Sequence, residues 1–503
     1  MDRTSAPPVR RNAYASSSTA MNGGFPRGKR GRNATATAGP DFLSALPEGI
    51  LHHIMSFLNV RQVIQTCVLS WRWRDLWRSV PRINANYCEL SMSPIAAFTP
   101  DNEAAFKRFV NRLLERRDPA AVIHTFNLRY TISNPNNRDN DSADANRWIS
   151  HALQNQASFL KIIVDAHELH LDHTVFTSCY LGRITLKNVF LDQGFFEQLE
   201  IGCPLLQDLL LYDCIIGDDE ISSETLNVLT MYGCQFPTLQ ESCISAPNLT
   251  SLIMHQPENF VPVLDDVASL VTATVDLFPL IEFCAYDMRQ LLWSLSGVRN
   301  LDLDYYACKR HVGTMGGEVA WSQHTRAPSQ WPALKHMVPC DQSVGPCRSN
   351  VTNPLDRPSI SFMPSSYVDG AVAWPEPMEN MTIKNNPQLC PKFINLVDLT
   401  LGQWCLDSDF YVLIIFLQSS PKLEKLTLKL EKYYPHPYEH IIGDELTERS
   451  FTCEHLKIVE IICMEDDEPL AKIVEGLFVD NGMNSVRLIF AKCIANKLEK
   501  VQR

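Results

Sequence analysis

Four side chains of metal-ligating type, Cys308, His311, Cys340 and Cys347, occur in one stretch of the chain. Thiolates and imidazole in that number suit tetrahedral zinc, but such sites are built on tight Cys-x-x-Cys pairs, which these four lack. No metal is expected. The tandem histidines His52 and His53 are candidate bases, yet they sit inside a helical apolar pattern and read as surface residues. There is no Gly-rich phosphate loop, no G-x-S-x-G elbow and no H-E-x-x-H pair. Neither catalysis nor a cofactor is expected, although a ligand in an unrecognised pocket stays open. One more tract invites chemistry. VLSWRWRDLWRSVP, Val68 to Pro81, interleaves Trp71, Trp73 and Trp77 with Arg72, Arg74 and Arg78, the composition with which proteins stack and neutralise nucleic acid.

The spacing argues otherwise. Trp73, Leu76, Trp77 and Val80 fall at i, i+3, i+4 and i+7, one apolar stripe of a helix whose solvated back carries the arginines. Asp75 interrupts the positive run, and the 503-residue chain has a formal net charge of -12, which repels phosphate. No nucleic acid partner is expected. No apolar run reaches the roughly 18 residues of a membrane span, and the first forty residues are polar and basic rather than signal-like. No membrane partner is expected, and the sixteen scattered cysteines fit a reduced compartment, nucleus or cytoplasm.

The elements before this tract are also helical. LPEGILHHIMSFL places Ile50, Leu51, Ile54, Phe57 and Leu58 at helical spacing, with Pro47 in the first turn and Ser44 as a cap. VRQVIQTCVLS follows, with Val60, Val63, Ile64, Cys67 and Val68 on one face. Three short helices in so few residues hold more apolar positions than their own core absorbs, so a partner must cover the surplus.

Leu46 to Pro81 resembles an F-box, a short helical docking motif. The match rests on Leu46-Pro47, on the spacing of Ile50, Leu51, Ile54 and Leu58, on Val68 to Ser70, and on Arg72 to Trp77. The resemblance implies docking onto a Skp-type adaptor and through it a cullin. Its contact residues would be Leu46, Pro47, Ile50, Leu51, Ile54, Leu58, Val68, Leu69, Trp73 and Trp77. Three departures stand out: Asn59 where the family has proline, Gly49 where a polar helix former is usual, and Trp71 in place of a basic residue.

The rest of the chain repeats the phrase L-x-x-L-x-L. Clear copies are Leu206/Leu209/Leu211, Leu226/Leu229/Met231, Leu249/Leu252/Met254, Leu396/Leu399/Leu401 and Leu423/Leu426/Leu428; weaker ones begin at Leu181, Val298 and Leu456. Their spacing brackets the leucine-rich-repeat period. Each copy predicts a short strand, stacked in parallel along a solenoid, with a helix or irregular turn on the other side. Cys214 and Cys234 fall at a buried small position after the strand. Phe451 to Phe490, with CEHLKIVEI, a helix through Leu470, Ile473, Val474, Leu477 and Phe478, and a last strand VRLIF, resembles the FBD region of plant F-box proteins. It would cap the sheet edge.

The expected fold is therefore α/β: a short N-terminal three-helix F-box, an irregular leucine-rich-repeat solenoid with parallel strands, and an FBD-like cap. The expected domains are a disordered basic tail over 1–40, containing the import-like cluster PRGKRGR, and an F-box over 41–85. Repeats occupy 86–304 and 381–440, interrupted by an irregular insert over 305–380 that is either disordered or foreign to the mature chain. The cap covers 441–503. The resemblance implies a non-catalytic, substrate-recognition subunit of a Skp-cullin-F-box ubiquitin ligase. Its alternative is a repeat scaffold without ligase coupling. The target would meet the concave strand face, at Gln207, Asp208, Leu210, Thr250, Ser251, Ile253, Val397, Asp398, Thr400, Glu424, Lys425 and Thr427.

Overall fold

The computed structural model describes residues 42–90, 100–132, 138–236, 242–257, 261–277, 285–305, 390–406, 410–430, 451, 453–463, 468–483 and 486–492. The basic tail with PRGKRGR, the 305–380 insert beyond its first residue, and the Cys308/His311/Cys340/Cys347 group lie outside the described residues. Among the described residues no helix is long and apolar enough to cross a membrane, and none of their side chains cluster as a metal site would require.

The chain opens with α1 (Glu48–Met55), α2 (Val60–Gln65), β1 (Arg82–Asn86), α3 (Tyr87–Leu90) and α4 (Pro100–Glu115). Then follow β2 (Thr125–Thr131), α5 (Arg138–Gln154), β3 (Phe159–Asp165), β4 (Leu169–Leu171), β5 (Arg183–Lys187), β6 (Val189–Leu191) and α6 (Phe195–Gly202). The middle holds β7 (Asp208–Tyr212), β8 (Ile215–Ile216), β9 (Glu220–Ser222), β10 (Val228–Tyr232), β11 (Cys243–Ser245), β12 (Ser251–His255) and β13 (Val263–Leu264). The last part runs through β14 (Thr272–Leu277), α7 (Ala285–Ser294), β15 (Asn300–Tyr305), β16 (Asp398–Gly402), α8 (Tyr411–Ser419) and β17 (Lys425–Leu430). It ends with β18 (Ile458–Cys463), α9 (Glu468–Asp480) and β19 (Arg487–Lys492).

One long strand per unit joins a 13-stranded sheet in the order β1-β2-β3-β5-β7-β10-β12-β14-β15-β16-β17-β18-β19. Every adjacent pair is parallel, as a leucine-rich-repeat-like solenoid requires. The register explains why. Leu209 pairs with Ile184 on one side and Leu229 on the other, and Leu229 with Leu252. A slip of one residue would turn all these buried side chains to water. All eight phrases read from the sequence are strands with their leucines inside.

The sequence missed β1, β2, β3 and β14. Their inward positions carry other residues at the same spacing, such as Val80/Ile83/Ala85, Ile123/Phe126/Leu128 and Leu270/Ala273/Val275, all buried. The opposite side is not helix alone. Besides α5 to α9 it carries two three-stranded parallel ribbons, β4-β6-β8 and β9-β11-β13.

Each central strand ends the same way. Asn188, Asp213, Gly233 and Gln256, the residues just after β5, β7, β10 and β12, all have positive φ. Their N–H groups donate to the last carbonyl of the next strand, for example Asp213 to Tyr232 and Gly233 to His255. A left-handed residue turns the chain off the sheet while keeping its own donor satisfied. At Gly233 a Cβ would meet the Asp213 carboxylate at 2.7 Å, so a larger residue there would have to displace that side chain. Cys214 and Cys234 follow these corners, fully buried, and each thiol donates to a carbonyl of the preceding strand, Leu186 and Leu211, at 3.6 Å. Burial pushes the Cys214 thiol well up, which keeps it an inert, protonated donor.

Candidate functional site

The N-terminal unit has its own small core: Leu51, Met55, Val63, Trp73, Leu76 and Val80. This corrects two expected contact residues. Leu51 is completely buried and Trp73 is 3% exposed, both part of the interior that three short segments must fill. Leu46 and Leu58 are half-buried against the same core, and Trp77 packs between it and the main core. Ile54 is half-buried as well. What remains at the surface is Pro47, Ile50, Val68 and Leu69, the last two 82% and 61% exposed. Phe42, Leu43, Phe57 and Trp71 join them as exposed apolar side chains. Trp71 is 85% exposed, with the Arg74 guanidinium 5.4 Å from its ring.

The third helix expected over Trp73 to Val80 does not form. Residues 71–75 are turn and only Leu76–Ser79 is helical, of the 3₁₀ kind. The apolar stripe survives, but hydrogen bonds to Ser44, more than twenty-five residues away, hold it where so short a helix would be costly to nucleate. Trp73 Nε1 donates to Ser44 Oγ at 3.2 Å, Ser44 also bonds Ser70, and Arg72 donates to the Ser44 carbonyl. Ser44 is therefore a clamp between the two ends of the unit and not a helix cap. Pro47 takes the N-cap position of α1, with no side-chain bond there. His52 is no surface residue either: its Nε2 lies 3.0 Å from Ser79 Oγ and ties α1 to the 3₁₀ turn. Val68 leaves the apolar face of α2, because the backbone tightens to 3₁₀ over Thr66–Val68.

A hydrogen-bonded junction joins this unit to the sheet. Val80 runs directly into β1, and Val60 of α2 belongs to the main core. Arg117, beyond α4 and 8% exposed, donates to the Val80 carbonyl at 2.7 Å. Burial lowers its pKa to about 10, against the pull of Asp118. The Arg78 and Pro81 carbonyls accept from Asp118 and His124. A contact that spans 37 residues was invisible in the sequence.

The second surface is the outward side of the sheet. Asp208, Leu210, Ser251, Ile253, Asp398 and Thr400 lie there on alternate strand positions, half-exposed. Gln207, Thr250, Val397 and Glu424 stand just before the strands, their carbonyls accepting the next unit's backbone N–H. Thr427 is a correction: it is 5% exposed and offers little to a partner. Much of the charge is already engaged. Arg183 Nε donates to Asp208 at 2.7 Å, Lys425 pairs with Glu460 at 3.1 Å, and Lys457 with Glu424 at 2.8 Å. The Lys457 hydrogen bond lowers the Glu424 pKa. Burial raises that of Asp398, with Lys425 opposing and Asp302 and Glu460 reinforcing.

Residues 43–84 match the F-box domain family. The chain carries an F-box domain. Its relatives are plant proteins named for an F-box, most of them also for leucine-rich repeats, an FBD region or both. An F-box/FBD/LRR-repeat protein of Arabidopsis thaliana is 27% identical over 47% of this chain and 57% of its own length. A putative FBD-associated F-box protein of the same plant is 23% identical over 78% of this chain and 88% of its own. An F-box/LRR-repeat protein is 29% identical over 42% and 71%. The chain spans only about half the length of several relatives it matches, 49% in one case.

The departures within the F-box now have structural meanings. Asn59 caps α2: its Oδ1 accepts from Gln62 N–H at 2.9 Å while Gln62 Oε1 accepts from Asn59 N–H at 3.2 Å. That reciprocal box was readable as Asn-x-x-Gln before an apolar run. A methyl on Gly49 would meet nothing within 4 Å, so glycine there is a plain loss of helix propensity. The FBD-like end is β18, α9 and β19, with Val474, Leu477 and Phe478 buried under the last strands.

Proposed function

We propose that this chain is the substrate-recruiting subunit of a Skp-cullin-F-box ubiquitin ligase. The F-box docks a Skp-type adaptor through Pro47, Ile50, Val68 and Leu69, and the outward strand face holds a protein target. The observation that supports this reading is the division inside the F-box. Its interior is already filled by Leu51, Met55, Val63 and Trp73, yet Ile50, Val68 and Leu69 still face water. Exposed apolar side chains clustered on so small a unit favour a partner that covers them. Leu46, Ile54, Leu58 and Trp77 line the border of that surface, while Leu51 and Trp73 support it from beneath.

The chain would act without catalysing anything. A target held on a body joined to the adaptor site presents its lysines to the ubiquitin carrier at raised effective concentration. The junction through Arg117 and Val80 favours this, because a loose hinge would dilute that concentration. Titration calorimetry of the full chain with purified Skp-type adaptor tests the proposal. A Kd in the micromolar range or tighter is expected, weakened at least a hundredfold, about 2.7 kcal/mol, by Ile50→Asp with Leu69→Asp. Absence of binding by the wild-type chain would favour the scaffold reading.

A further inference from the structure

We propose that the outward strand face from β5 to β15 docks an extended segment of a partner protein whose character runs from acidic, through aromatic or aliphatic, to basic. The inference rests on the target-recruiting reading and names the chemistry of what is recruited. The last outward position of successive strands forms one continuous row, Lys187, Tyr212, Tyr232, His255, Asp276 and Asp304, set by the pairing register. Tyr212 and Tyr232 lie 6.4 Å apart between ring centres, Tyr232 and His255 5.7 Å, and His255 Nδ1 sits 3.3 Å from Asp276. Parallel strands in register thus build a half-exposed aromatic shelf with a charge at each end.

One neighbouring row repeats the division, from Lys161 through Leu210 and Ile253 to Asp302. On β7, β10 and β12 the other outward positions are Asp208, Leu210, Val228, Thr230, Ser251 and Ile253, and Asp208 is already taken by Arg183. Toward the F-box the outward positions of β3 and β5 carry Lys161, Arg183 and Lys187, Arg183 in a pair with Asp208 and Lys187 in an exposed pair with Asp213 at 3.2 Å. Toward the C-terminus β14 and β15 carry Asp276, Asp302 and Asp304, with Asp276 beside His255 and Asp302 accepting from Lys429 at 2.8 Å. A nucleic acid would gain from the first flank and the shelf but be repelled by the second. A peptide with opposed charges at its ends satisfies all three. Five strand steps of about 4.8 Å make about 24 Å, which roughly seven extended residues span.

The test is display selection of a random twelve-residue peptide library on the full-length chain, followed by anisotropy titration of an enriched peptide. Enriched sequences are expected to carry acidic, aromatic or aliphatic, and basic blocks in that order or its reverse. Tyr232→Ala should weaken the chosen peptide at least tenfold. Lys187→Glu should do the same and be rescued when the peptide's acidic block is changed to lysine. Enriched peptides without separated charge blocks, binding indifferent to both variants, or preferred binding of a single-stranded RNA oligomer would overturn the proposal. Adaptor calorimetry on the same preparation separates the two readings: adaptor binding with a silent face refutes only this inference, whereas peptide binding without adaptor binding refutes only the ligase reading.

Discussion

Removing one half-buried ammonium should make this protein's stability depend steeply on pH. Lys107 of α4 reaches Asp141 of α5, whose side chain is completely buried, and lies 3.4 Å from both Glu103 and Asp144. The Tyr130 hydroxyl of β2 is within 3.1 Å of Asp141 and 3.2 Å of Glu103. Burial works to lower the Lys107 pKa, but its hydrogen bond and the three carboxylates outweigh that and raise it. Burial raises Asp141, against the pull of Lys107. In Lys107→Met that pull is gone, and Asp141 must take up a proton to stay buried. Protonating a carboxyl whose unfolded pKa is about 3.9 costs about 4 kcal/mol at pH 7 and about 1.5 kcal/mol at pH 5. The sign follows from a folded pKa above the unfolded one: the penalty is least below the unfolded value and grows as pH rises. Breaking a buried pair by removing one partner carries a similar cost, about 3 to 5 kcal/mol. Urea unfolding followed by circular dichroism at pH 5 and pH 7 reads both figures. Lys107→Met combined with Asp141→Asn should remove the part of the pH dependence that Asp141 carries, leaving that of the neighbouring buried Glu103. A loss under 1 kcal/mol, equal at both pH values, would refute the reasoning.

Three further outcomes are expected. Gly49→Ala should stabilise the F-box by about 0.5 to 1 kcal/mol, measured by thermal unfolding, because a methyl meets nothing within 4 Å and glycine is a poor helix former. Asn59→Ala should cost about 1 kcal/mol by the same measurement, since it removes the acceptor for Gln62 N–H. Leu51→Ala should lower stability by about 2 to 5 kcal/mol, while Ile50→Ala should leave stability nearly unchanged and weaken adaptor binding. Unfolding curves and calorimetry on the two variants separate interior from contact residue.

The fold was legible wherever one residue class recurred at fixed spacing. Leu209, Leu229 and Leu252 announced their strands because alternate burial leaves a period of two. Val80/Ile83/Ala85 carry the same geometry in less recognisable residues, so β1 went unread and the join between F-box and sheet with it. The capping box of Asn59 and Gln62 was also within reach, being local. Which of Ile50, Leu51, Val68 and Trp73 face water was not. Helical spacing identifies an apolar stripe, but a stripe wider than the interior can hold is divided only by packing.

Sequence alone therefore determined the parallel strands, the short helical motif at the N-terminus and the buried cysteines, since each depends on contacts between near neighbours in a repeating pattern. Tertiary structure decided the remainder. Arg117 meets Val80, Lys107 meets Asp141, and Lys187, Tyr212, Tyr232, His255 and Asp276 form one row only because the strands stack in a single register. Local propensity carries no record of such distant partners; close packing of the whole sheet selects them.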